Sequence, residues 1–158
     1  MAPPDPNNPQ EEAKLVAALQ KWADGKATLR EVRGYSDEEL YAIAKTAYFF
    51  FYQGRVNEAR TLFQGLYAVN PTDSYFAKAL GVVELAAGNA QGAMAAYDVA
   101  IKLTPNDAQA YVGRAEVKLA MGQKAQAIED LRRASSLATE GDAVGRKAEA
   151  MIFALSRR

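Results

Sequence analysis

The 158-residue chain contains no cysteine and no histidine. Without cysteine there are no disulfides, no thiolate metal sites and no thiol nucleophile. Without histidine the commonest general base and metal ligand is missing. Charge of neither sign dominates, because nineteen Lys and Arg balance nineteen Asp and Glu. That balance gives no general affinity for nucleic acid or an anionic membrane surface. No apolar run approaches the roughly 20 residues that span a bilayer, so stable membrane insertion is not expected. The opening "MAPPDPNNPQEE" lacks the basic flank and apolar run of a signal peptide. The expected location is the cytoplasm.

The carboxylates that remain do not form a catalytic pair. Glu38 and Glu39 are adjacent, as are Glu129 and Asp130, and neighbouring positions of a helix do not face one another. They read as solvated faces and first-turn charges that favour the helix dipole. With no Gly-rich phosphate loop and no metal-ligand spacing, neither an enzyme, a cofactor nor a metal is expected.

A repeat is what the sequence does contain. Gly54, Gly88 and Gly122 recur every 34 residues, and so do Ala59, Ala93 and Ala127. Phe63, Tyr97 and Leu131 share the step, as do Leu66, Ala100 and Ala134, and Pro71 with Pro105. This is the tetratricopeptide pattern of paired antiparallel helices. It predicts an all-α solenoid of three helix pairs over 40–73, 74–107 and 108–141. Small residues at Ala47, Gly81 and Ala115, and at Ala59, Ala93 and Ala127, let the two helices of each pair approach closely. The glycines serve turns of positive φ, and Pro71 and Pro105 end the second helices because proline cannot continue them.

Three segments flank the array. Residues 1–10 are rich in Pro and Asn and are expected to be disordered. An amphipathic helix is expected from residue 11, with Leu15, Ala18, Leu19 and Trp22 on one face and Gly25 at its end. A connecting segment, "TLREVRGY", then leads to Ser36 and Glu39, a capping-box pair that opens the first repeat helix. Residues 11–39 thus make an N-terminal region, and Leu15, Leu19 and Trp22 are its candidate dimerisation face. The tail 142–158 places Val144, Ala148, Met151, Ile152 and Leu155 together, as a helix covering the last repeat would.

"AYFFFYQGR", Ala47 to Arg55, carries five consecutive aromatic residues. A helix turns about 100° per residue, so these rings cannot all reach one core. By resemblance to the tetratricopeptide fold, whose first helices line a concave groove, the groove-facing positions of the first unit are expected to be Tyr41, Ala44, Tyr48, Phe51 and Tyr52. In the second unit they hold Tyr75, Lys78, Val82, Leu85 and Ala86, and in the third Gln109, Val112, Glu116, Leu119 and Ala120. Phe50 is expected to face its partner helix and Phe49 to pack between neighbouring helices. Each ring presents roughly 150–250 Å², so three or four together make a patch of the size that marks interaction sites. The alternative is cover by the N-terminal helix, through Trp22 or Leu19, or by a second copy.

Several motifs together resemble the class II chaperones of type III secretion, the SycD/LcrH kind. They are the Gly25–Thr28–Leu29 lead-in, the helix start Ser36 to Leu40, "YQGR…EA…LFQ.L" over Tyr52 to Leu66, and "YF..ALG" with "GA..AYD.AI" over Tyr75 to Ile101. The third unit's "RAEVKLAMG" resembles the family's Ala–Glu segment. The resemblance implies a cytoplasmic chaperone of hydrophobic secreted translocators. It implies an extended apolar client segment in the groove, a homodimer through the N-terminal helices, and no nucleotide. This groove departs from the family in carrying Lys78 and Glu116, and its third unit lacks a frequent cysteine. Of two other readings of a tetratricopeptide array, the first is excluded and the second stands beside it. A carboxylate clamp would need basic and amide side chains where this chain has Ala44, Tyr48, Ala79, Gln109 and Gly113. A generic adaptor or assembly scaffold needs no such residues.

Overall fold

The computed structural model describes residues 8–157, and among them every regular element is an α-helix. In chain order these are α1 (Pro9–Ala23), α2 (Leu29–Arg33), α3 (Asp37–Tyr52), α4 (Val56–Val69) and α5 (Ser74–Ala86). They continue with α6 (Ala90–Leu103), α7 (Ala108–Ala120), α8 (Lys124–Leu137) and α9 (Ala143–Ser156). Pairs α3/α4, α5/α6 and α7/α8 are the three expected units, and α9 packs on α8.

Local chemistry sets these boundaries. Ser36 and Glu39 form the expected capping box, with Ser36 N–H donating to Glu39 at 2.8 Å and Glu39 N–H to Ser36 at 3.2 Å. Asp73, Asp107 and Asp142 cap α5, α7 and α9 by accepting from the backbone N–H two residues on. Gly54, Gly88 and Gly122 close the turns within units at φ of 78°, 82° and 75°, the left-handed region where only glycine sits without strain. Helices α4 and α6 stop two residues before Pro71 and Pro105.

Two boundaries differ from expectation. Helix α1 starts at Pro9 with Asn8 as its cap, inside the stretch expected to be disordered, because proline fits the first helical position. Residues 1–7 lie outside the described residues. The connecting segment holds a one-turn helix, α2, opened by a second capping box between Thr28 and Glu31. The Ser/Thr-x-x-Glu pattern that marks Ser36 was present there too.

The core runs along the array as three joined clusters. Leu40, Ala47, Ala59, Phe63, Leu66 and Phe76 fill the first, and Ala77, Ala93, Tyr97, Ala100 and Val117 the second. Ala115, Ala127, Leu131, Ala134 and Ala148 fill the third, with Val144, Met151, Ile152 and Leu155 packed against it. Phe63 is completely buried, a side chain whose removal from water stabilises by about 1.5–3 kcal/mol. Asp130 corrects the reading of Glu129–Asp130 as a solvated pair, because it is only 5% exposed. Its carboxylate accepts from Arg114 at 2.7 and 2.8 Å and pairs with Lys118 at 2.7 Å. Glu84, also buried, accepts from Arg60, Gln64 and Asn89. Among the described residues no helix is long and apolar enough to cross a membrane.

Candidate peptide groove

The first helices α3, α5, α7 and α9 lie side by side. Cross-links between successive members show it: Tyr41 to Asp73, Lys78 to Gln109, and Lys147 to Glu116. Stacking such units with a small rotation per repeat makes their shared face concave. Helix α9 extends this face, because Gly145 and Ala148 follow Ala110 and Gly113 by 35 residues and are buried like them.

An aromatic cluster occupies the first half of the face. Tyr48 stacks on Tyr52 at 6.3 Å and meets Tyr75 edge-on at 6.3 Å. Tyr41 meets Tyr75 at 5.4 Å, and Phe51 meets Tyr52 at 5.8 Å. The cluster is rooted in the core through Tyr48 on Phe63 at 4.9 Å and Tyr41 on Phe76 at 5.4 Å. Exposure rises outward from this root: Tyr48 and Phe51 are half-buried, Tyr75 is 36% exposed and Tyr52 82% exposed. Burial, then the neighbouring Tyr75, pushes the Tyr48 phenol well above its ordinary range. The hydrogen bond from Tyr41 to Asp73, at 2.7 Å, pushes the Tyr41 phenol up to about 12. Both groups stay neutral at physiological pH and act as apolar rings with a hydroxyl edge.

Not every expected groove residue is on the surface. Ala44 (1% exposed) and Val112 (4% exposed) belong to the core beneath the face. Neither offers appreciable contact area to a ligand. Val82 and Leu85 are half-buried on the second cluster. Lys78 pairs with Asp107 at 2.6 Å, and Glu116 with Lys147 at 2.6 Å. Phe50 packs on the first cluster beneath Arg55, as expected. Phe49 does not pack between helices; it is 59% exposed. α3 begins the array, so no earlier unit lies where a neighbour would cover it, and α1 makes its main contact with α2.

Tyr97 was read only as a repeat position, yet it underlies the groove. Its ring fills a slot between α5 and α7, where a Cβ on Gly81 would come within 2.6 Å of the ring and one on Gly113 would overlap it. Burial, then the charge of Glu116, pushes its phenol up. The available signal was two glycines at first-helix positions facing one large aromatic. Among the described residues no three carboxylates converge into a group that could hold a metal.

Residues 45–108 match the model of the tetratricopeptide repeat family. No curated protein sequence is significantly similar to the chain. Among solved structures, the type III secretion translocator chaperone SycD of Yersinia enterocolitica is 23% identical, with a TM-score of 0.76 over 81% of this chain and 98% of that one. SycD in complex with a peptide of the translocator YopD aligns at 22% identity and TM-score 0.71, over 77% and 95% of the two chains. PcrH from Pseudomonas aeruginosa is 23% identical at TM-score 0.73, over 79% and 97%. The chain therefore has the tetratricopeptide helix-pair fold that is found in SycD and PcrH.

Proposed function

We propose that the protein is a cytoplasmic chaperone of the class II secretion type. It holds an extended apolar segment of a hydrophobic translocator protein in the groove of α3, α5 and α7, and so keeps the client soluble and competent for secretion. The carrying observation is the exposed aromatic cluster of Tyr41, Tyr48, Tyr52 and Tyr75 rooted on Phe63 and Phe76. A rigid platform of rings with hydroxyl edges suits a peptide, whose side chains are apolar and whose backbone is polar. SycD with its YopD peptide supplies a precedent on the same fold. Binding alone performs this task, with no catalysis, cofactor or nucleic acid. The proposed units are an N-terminal region to residue 39, three repeats over 40–141 and a final helix.

The protein is further proposed to dimerise through α1. Val16 is 59% and Trp22 49% exposed there; the side chains of Leu15 and Leu19 lie outside the described residues.

Tyr52 gives the cleanest test, because a residue 82% exposed contributes little to folding. Purification from the native host with wild-type bait is expected to recover a large, apolar-rich secreted protein. Tyr52→Ala is expected to weaken that recovery while melting like wild type, since anchors of this kind are worth at least about 2 kcal/mol each. Undiminished recovery would falsify the groove reading. Recovery of soluble, polar partners instead would favour a generic adaptor.

A further inference from the structure

Resting on the groove reading, we infer that the bound segment carries no acidic side chain where it crosses α5 and α7, and that Asp107 enforces this by holding Lys78. Three polar rungs join successive first helices on the concave face. Tyr41 donates to Asp73 at 2.7 Å, Lys78 pairs with Asp107 at 2.6 Å, and Lys147 pairs with Glu116 at 2.6 Å. Asp73 and Asp107 use their second oxygens to accept from the N–H groups of Tyr75 and Gln109, at 2.9 and 3.0 Å. Lys78 also donates to Gln109 at 3.3 Å. Lys78 and Lys147 are therefore engaged, while among the described residues Asp73 accepts from a phenol and a helix N-terminus.

The rungs differ in solvent access. Lys147 and Glu116 side chains are 56% and 35% exposed, so water screens that pair. Lys78 and Asp107 are 22% and 18% exposed, deep enough for an unmatched charge to matter. A client carboxylate arriving there meets the Asp107 carboxylate and a lysine that Asp107 has already neutralised. Like-charge juxtaposition of that kind rejects wrong partners more than it strengthens right ones.

Asp107→Asn tests this selectively, because Asn is as good a helix cap as Asp but leaves Lys78 without its counter-charge. Asp107→Ser, another good cap, is a second variant should the first fold poorly. A library of random 12-residue peptides is selected on wild type, on Asp107→Asn and on Tyr48→Ala/Tyr52→Ala. The wild-type pool is expected to be depleted of Asp and Glu relative to the input, and the Asp107→Asn pool to regain them. One recovered peptide, given a single Asp at its centre, should bind wild type about tenfold more weakly and Asp107→Asn without that loss. A wild-type pool as acidic as the input, or an unchanged acidic content in the Asp107→Asn pool, overturns the inference and leaves the groove intact. A wild-type pool no richer in binders than the Tyr48→Ala/Tyr52→Ala pool overturns the groove and the inference together.

Discussion

Tyr97, Gly81 and Gly113 show how one residue type makes room for another. A helix-interior glycine is destabilising by roughly 0.5–1 kcal/mol against alanine. Here that cost is met at both glycines, because a methyl group on either would press on the Tyr97 ring. Gly113→Ala is thus expected to destabilise by about 1–3 kcal/mol, as overpacked cores do. The combination with Tyr97→Leu should be less destabilised than the sum of the two changes, read from urea unfolding. Additive losses would show that the slot is not where the strain arises. At this scale the aromatic block divides by environment: Phe50 and Phe51 lean on the core while Phe49 and Tyr52 stand in solvent. Periodicity gave the faces of α3, but the place of α3 at the head of the array leaves Phe49 59% exposed.

Among elements, the second layer is tied to the first by buried carboxylates. Burial by itself would raise the Asp130 carboxyl, yet hydrogen bonds from Arg114 and Lys118 hold it below the usual range. Burial likewise opposes, and Arg60, Gln64 and Asn89 outweigh it at Glu84. A carboxyl depressed in the folded state contributes stability above its unfolded pKa and loses it as pH falls through the folded value. Stability should therefore decline below about pH 4, the ordinary carboxylate range. Asp130→Asn should flatten that decline. At neutral pH Asp130→Ala should cost on the order of 3 kcal/mol, since Arg114 and Lys118 lose their shared partner. An acid limb unaltered in Asp130→Asn would place the linkage elsewhere. The repeat period fixed the helices on which these groups sit, and Thr28 with Glu31 was a legible start for α2. The ion pairs were not legible, since Arg114 and Asp130 belong to different helices and meet only when α7 and α8 pack.

For the whole molecule, the exposed Val16 and Trp22 of α1 bear on assembly. If α1 joins two copies, the full chain runs as a dimer in sedimentation at micromolar concentration. A chain lacking residues 1–24 should then run as a monomer with unchanged helical melting, because the repeats bury their own core. A monomeric full-length chain would refute the arrangement. The proposed groove, by contrast, is drawn from α3, α5 and α7 of one copy, so peptide binding should survive the truncation.

Composition and period, by themselves, determined the all-helical array, its turn glycines, its small packing positions and the aromatic richness of its first unit. Those features are local, or repeat at a fixed step, and so can be read along the chain. Tertiary structure decided which groove candidates have any surface to offer, sinking Ala44 and Val112 and lifting Tyr52. It also decided that Lys78 and Glu116 are engaged rather than open charges, and that Tyr97 reaches the floor between two glycines. These pairings bring together side chains as far as 31 residues apart across helices, a meeting set by how units stack and not by any one stretch of sequence.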